Sequence, residues 1–439
     1  TPLGMDANPG RGQTITSRVS RLNQMGIQTI PIIPAARAKR AVALVAIYGN
    51  PDHYPPTFNA VRILANYFKV HIVCRQYGEI FRRWPAGVTV ERLGEDADIS
   101  RISNKNPLAK WLEYKRFVDA VREAVRRLNP AFIYAYEAHG YAATIRSGAS
   151  EAAIPILLHF HEMPEIGPPT SLQSWIARYA LGRTKLAGMV IFTEKFRAGI
   201  YCRKFGDTRT PLIVPNCSAL DFFPAPPDWR ELLERRWAAK ELLHIGAIGP
   251  NNGHREALHA LAILPPEMRL RFIGGGRESF KDELRSIAIK LGVADRFKIE
   301  SFVAHGDLAP YAASGSVGLS LYKSNGANLE YCGAASNKTF EYAAAGLPAI
   351  VPDRISYRDF FKDEPWITYV NQEDPDAIAR GINFILEDRE RYFMMSHAAR
   401  RAFEQRFNYE CVFEPLLQRI LGLANPSKLS APAAGNSSF

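Results

Sequence analysis

The chain has 439 residues, of which 47% are hydrophobic and 23% charged, with a formal net charge of +11 at pH 7. That length exceeds what one core usually sustains and implies two domains of roughly 150 to 200 residues each. No run of about 18 apolar residues could span a bilayer, five scattered cysteines without C-x-x-C spacing argue against a disulfide framework or a zinc site, and the positive charge implies an anionic partner.

Residues 1–38 carry Pro, Gly, Thr and Arg with little periodicity, no secretory leader among them, and are expected to form a weakly ordered extension. "AVALVAIYGN" (41–50) is a continuous apolar run closed by Gly-Asn, the pattern of a strand buried on both faces. "TFNAVRILANYF" follows with helical spacing, then the short apolar run "VHIVC", which completes a βαβ unit. The Asp-Ala-Asp of "GEDADIS" (94–100) has no buried strand before it and reads as a solvated loop, so no metal site is expected there or elsewhere.

"NKNPLAKWLEYKRFVDAVREAVRRLN" (104–129) spaces Leu108, Trp111, Leu112, Phe117, Val118, Val121 and Val125 as one face of a basic amphipathic helix. Two readings are open: one face in a core and the other solvated, or a helix lying on an anionic membrane surface. Nucleic acid is disfavoured, because neither zinc-finger spacing nor an RNA-binding signature is present.

"AFIYAYE" (131–137), "PILLHFHE" (155–162), "GMVIFT" (188–193) and "PLIVPN" (211–216) are further short apolar runs separated by helical patterns, which implies a parallel sheet. The expected divisions are an N-terminal Rossmann-like domain over 39–223, a Pro-rich and then charged linker at 224–240, and a second Rossmann-like domain over 241–405. The same grammar restarts there with "ELLHIGAIG", "LRFIGGG", "FKIESFV", "VGLSLY" and "LPAIVP". A helix over 406–424 and a small, polar, disordered tail over 425–439 close the chain. The fold class is α/β, two doubly wound domains facing a cleft, with ligands at the carboxyl ends of the strands.

Neither G-x-G-x-x-G opening a first helix nor G-x-x-x-x-G-K-[ST] occurs, which disfavours a dehydrogenase or an ATPase. Three turns after strands in the second half are instead rich in small residues: "GAIGPNNGHR" (246–255), "GGGR" (274–277) and "YCGAAS" (331–336). Such turns let backbone amides approach a phosphate, and a following helix adds its positive end. In "SNKTFEYAAAGLPAIV" (336–351), Ser336 is the expected N-cap, so the amides of Asn337 and Lys338 face outward and Lys338 adds a full charge. Glu341, one turn on, either accepts from sugar hydroxyls or complements the helix dipole.

That segment resembles the "K-x-x-E-Y-x-A-x-G-x-P-V-I" stretch of GT-B glycosyltransferases, specifically the large retaining family four. "LIVPNCSALDFFP" (212–224) is similar to the family's domain junction, and "FNYECVFEPLLQRIL" (407–421) to its closing helix, which returns to the first domain. The resemblance covers about residues 40–422. It implies a retaining, metal-independent, hexosyltransferase-type enzyme without cofactor, moving a sugar from a nucleotide diphosphate donor, UDP-sugar favoured, to a hydroxyl acceptor. The acceptor would be a saccharide, a lipid-linked or another glycoconjugate. The scattered cysteines fit a reducing cytoplasm, and the basic helix leaves peripheral association at a membrane's inner face open.

Carried over residue by residue, the resemblance places the diphosphate on Lys338 and Arg255, with the ribose on Glu341 and His161 near the donor sugar. Gly49, beside Asn50, occupies the loop near donor sugar and acceptor. Gly249 and Gly275 fall in phosphate-side turns, Val303 beside the base, and Gly333, Ala335, Ser336 and Asn337 along the donor. The family's first glutamate would fall at Gly333, where backbone amides or Glu330 substitute for it. A nucleotide-sugar epimerase of the same shape and a catalytically silent GT-B binding subunit are the alternatives.

Overall fold

The computed structural model describes residues 41–78, 80, 82–94, 105–164 and 167–424. The expected N-terminal extension, the Asp-Ala-Asp stretch and the C-terminal tail lie outside the described residues.

Two parallel sheets organise the chain. The first holds β1 (Val42–Ile47), β2 (Lys69–Arg75), β3 (Val88–Leu93), β4 (Phe132–Tyr136), β5 (Ile156–Phe160), β6 (Met189–Phe192) and β7 (Leu212–Ile213). The second holds β8 (Glu241–Ile245), β9 (Arg269–Ile273), β10 (Phe297–Glu300), β11 (Val317–Leu319), β12 (Ala349–Pro352) and β13 (Ile367–Val370). Their orders are β3-β2-β1-β4-β5-β6-β7 and β10-β9-β8-β11-β12-β13. Both orders reverse direction once, between β1 and β4 and between β8 and β11, and those switch points open crevices at the strands' carboxyl ends.

The apolar runs form strands because helices cover both faces of each sheet. Ala43, Leu44, Val45 and Ala46 of β1 are fully buried, as are all five residues of β4. β3 carries no continuous apolar run: as an edge strand, "VTVERL" is only partly buried and alternates polar with apolar residues. It pairs in parallel with β2, Val70 opposite Val88.

Residues 224–240, expected as a linker, contain a helix, Trp229–Ala239, capped by the Asp228 carboxylate. Leu232, Leu233 and Arg236 are buried, and the Arg236 guanidinium donates to the carbonyls of Ala313 at 2.7 Å and Ala345 at 2.8 Å. The charged composition hides a helix anchored on the second domain. The closing helix, Tyr409–Ala424, packs on the helix Pro55–Leu64 of the first domain. There Leu220 N donates to Glu410 Oε2 at 2.8 Å and Arg62 pairs with Asp221 at 2.6 Å. Among the described residues, no helix is long and apolar enough to cross a membrane.

Candidate active site

A cleft of about 460 Å³ opens between the carboxyl ends of the two sheets. On the second-domain side it is floored by the N-terminus of the helix Asn337–Ala345 and by the turns after β8 and β9. Ser336 occupies the N-cap position, yet no side-chain bond caps the helix. Its hydroxyl instead accepts from Thr339 Oγ1 at 3.1 Å and lies 3.3 Å from Ser320 Oγ. The amides of Asn337 and Lys338 are thus left for another acceptor, the arrangement that favours an anion, while that of Thr339 donates to Ser336 O at 3.3 Å.

Lys338 lies on that turn, 6% exposed, with its Nζ 4.1 Å from the centroid of the Tyr322 ring. Among the ion pairs of the described residues it has none. Burial pulls its pKa down to about 8, against the opposing fields of Cys332 and Glu341. A buried ammonium held only by a ring face is costly until an anion joins it. Glu341, 4% exposed, lies 3.3 Å from His305 Nε2 and lines the same cleft. Asn337 contributes a buried Oδ1 without a hydrogen-bond partner.

The glycine turns serve close packing first. A Cβ on Gly274 would stand 1.8 Å from the carbonyl oxygen of Gly246, so the β8 and β9 turns can pass only with glycine there. Gly246 and Gly274 line the cleft; Gly249 and Gly275, the positions the resemblance selects, do not. Val303 and Ala335 line it, while Gly49, Gly333 and Ser336 lie behind the surface. At Gly333 a Cβ would meet the Ser356 carbonyl oxygen at 2.3 Å, so no side chain fits where the family's carboxylate is expected. Glu330 does not replace it: its carboxylate stands 3.7 Å from Arg354 Nη1, and it is not among the lining residues.

Arg255 is a correction. Its guanidinium bonds both oxygens of Glu283 on the next helix, at 2.5 and 3.0 Å, and lies over the Phe280 ring. It is turned away from the cleft, whose cations are Lys338, Arg197 and Arg82.

On the first-domain side, His161 follows β5 and stacks between Tyr136 and Tyr54, with interplanar angles of 14° and 13°. Burial holds its pKa down to about 4, so the ring is neutral at pH 7. Nε2 lies 3.0 Å from Thr57 Oγ1, and Nδ1 has no partner. Where the Thr57 hydroxyl donates to Nε2, the ring keeps its proton on Nδ1; where it accepts, the proton sits on Nε2. The His161 amide donates to Glu137 Oε1 at 2.8 Å. Glu137 sits at φ 57, in the left-handed region, and burial pushes its pKa up to about 8. Such strain persists only where surrounding contacts over-determine it.

Arg197 has no counterpart in the sequence reading. It lies in the first turn of the helix Lys195–Phe205 and is 3% exposed. Nη1 donates to His161 O at 3.1 Å, Nε to Tyr331 O at 2.6 Å, and Nη2 to Asn328 O. Asn328 in turn accepts from Met163 N at 2.7 Å and donates to Met163 O at 3.1 Å. Asn216, also lining the cleft, donates to Ala335 O at 3.0 Å and keeps a buried Oδ1 without a partner. An arginine opening a helix straight after a buried strand was the available signal. Its partners Tyr331 and Asn328 come from the other domain, which local patterning cannot show.

No curated protein matches the chain. Residues 228–402 match the model of the family described as glycosyl transferases group 1. Among similar solved structures is HepE from Anabaena, in complex with UDP, at 14% identity and a TM-score of 0.65, covering 87% of this chain and 100% of that one. Sucrose-phosphate synthase from Thermosynechococcus elongatus is 16% identical with a TM-score of 0.66, covering 87% and 98%. WaaG, a glycosyltransferase involved in lipopolysaccharide biosynthesis, is 14% identical with a TM-score of 0.60, covering 87% and 100%. Likeness at these identities is one of fold. The chain carries the GT-B fold, and its segment 228–402 is similar to the group 1 glycosyl transferases.

Proposed function

We propose that the protein transfers a sugar from a nucleoside diphosphate donor, with UDP-sugar favoured, to an acceptor hydroxyl with retention of anomeric configuration. The observation that carries this reading is the buried, carboxylate-free Lys338 at an uncapped helix N-terminus, facing a cleft that also holds Glu341. HepE, solved with UDP and with UDP-glucose, lends the donor class.

Lys338 and the first-turn amides receive the diphosphate, so the charge that develops as the sugar's C1–O bond breaks is neutralised where it forms. The reading requires no metal ion for that purpose. Glu341 accepts from the ribose hydroxyls, with His305 steadying the carboxylate. The neutral His161 donates from Nδ1 to a sugar oxygen. The acceptor oxygen bonds to C1 on the face the diphosphate leaves, and its proton passes to the departing phosphate oxygen. Catalysis is then positioning and charge stabilisation, with no covalent protein nucleophile.

Incubation with UDP-, GDP- and ADP-sugars in the presence of an acceptor mixture, followed by mass spectrometry, tests the reading. Free nucleotide and a glycosylated product, both lost in Lys338→Ala, are expected. An epimerised sugar formed without acceptor would replace transfer with epimerisation. Bound donor that is never turned over would leave a binding subunit.

A further inference from the structure

The His161 ring lies between Tyr136, 5.1 Å away, and Tyr54, 5.9 Å away, and its carbonyl accepts from Arg197 Nη1 at 3.1 Å and Thr193 Oγ1 at 3.2 Å. Two flat faces stop the ring from tilting but let it slide in its own plane, so its reach into the cleft depends on where its backbone is held. The backbone N–H donates to Glu137 Oε1 at 2.8 Å, and the Glu162 amide bonds the same carboxyl group.

The chain is strained to put Glu137 there. Asn129 and Lys240 take positive φ where they close helices, a routine place for it. Glu137 takes φ 57 where β4 passes directly into the helix Glu137–Ile145. A sharp strand-to-helix turn of that kind lifts the side chain above the carboxyl edge of the sheet. The helix has no room to relax it, because a Cβ on Gly140 would stand 2.4 Å from the Ala46 carbonyl oxygen of β1. The same turn leaves Tyr136 against the His161 ring, so two consecutive residues serve one histidine. Glu137 is not among the residues lining the cleft, so it acts through what it holds.

We infer that Glu137 is a positioning residue that sets how far His161 reaches toward the donor sugar. The inference rests on the proposed transfer reaction, in which His161 meets that sugar. The strained turn is then the cost of fixing the histidine's backbone from below. Burial keeps the Glu137 carboxyl largely protonated at pH 7, so glutamine matches it in charge as well as in shape.

The test measures kcat, donor KM and amide hydrogen exchange in Glu137→Ala, Glu137→Gln, His161→Ala and the double variant Glu137→Ala/His161→Ala. Glu137→Ala should lower kcat about tenfold to a hundredfold with donor KM nearly unchanged, because Lys338 and Glu341 lie on the other domain. Glu137→Gln should restore kcat to within about threefold of wild type. In the His161→Ala background the Glu137→Ala change should cost nothing further, since its effect passes through the imidazole. Exchange at the His161 amide should quicken about tenfold or more in Glu137→Ala and return toward wild type in Glu137→Gln. Unchanged exchange overturns the inference, and so does an additional loss of kcat in the double variant. If Glu137→Ala does not fold, Glu137→Asp, which draws the carboxyl back by one methylene, takes its place in the same cycle. A wild type that transfers no sugar overturns the proposed function instead, and the exchange result still decides whether Glu137 holds His161.

Discussion

Removing the charge of Lys338 should make the empty protein more stable and the binding protein useless. The ammonium is buried, and its pKa is held at about 8 where a solvated lysine titrates near 10.5. At 1.36 kcal/mol per pKa unit, that gap corresponds to about 3 kcal/mol against the charged folded state. Below pH 8 both folded and unfolded chains carry the proton, and the full cost applies. Between pH 8 and 10.5 the unfolded chain binds more protons than the folded one, so stability rises with pH and the cost fades. Lys338→Met keeps the stem and drops the charge. At pH 7 it should gain roughly 1 to 3 kcal/mol after loss of the Tyr322 ring contact, raising the melting temperature by several degrees. At pH 9.5 that advantage should shrink. Thermal unfolding at both pH values, with and without UDP, reads all of this, with UDP stabilising only the wild type. A variant no more stable than wild type at pH 7, or one that UDP stabilises equally, would refute the reasoning.

Gly333→Ala forces a Cβ to within 2.3 Å of the Ser356 carbonyl, and overpacking of this kind costs about 1–3 kcal/mol. Gly275→Ala, whose Cβ would meet only Phe302 Cβ at 3.9 Å, should stay within about 0.5 kcal/mol, and melting temperatures of the pair show the contrast. His161 and His139 are held neutral with pKa values of about 4, and His254 of about 3, all by burial. At these three groups the unfolded chain binds more protons between pH 4 and 6.5, while Glu137, raised to about 8, offsets one of them, so on balance stability should fall as pH drops through that window. A melting temperature flat from pH 6.5 to 4.5 would contradict it, and His161→Asn should shallow the slope by one proton's worth.

What was legible in the sequence followed from burial. β1, β4 and β5 are covered on both faces and announce themselves as unbroken apolar runs, whereas β3, half exposed at an edge, is written in alternating residues that also suit a loop. The helix Trp229–Ala239 presents mostly charges, and its buried Leu232-Leu233 pair is too short a signal against them. In the site, Lys338 and Glu341 could be read together because one helix turn carries both. Arg197, Asn216 and Asn328 could not: their cross-domain partners lie 119 to 165 positions away and meet only when the two domains do. Arg255 misled because sequence fixes the turn that bears it but not its direction, which Glu283 decides.

The contacts that Asn328 and Arg197 make across the cleft also bear on its rate of opening. Separating the halves there would strip the carbonyls of Asn328 and Tyr331 and both polar groups of the Met163 peptide at once, and water must reach all of them before any is compensated. Opening along this seam therefore breaks several buried hydrogen bonds together. In the proposed reaction, release of the nucleotide would wait on that opening.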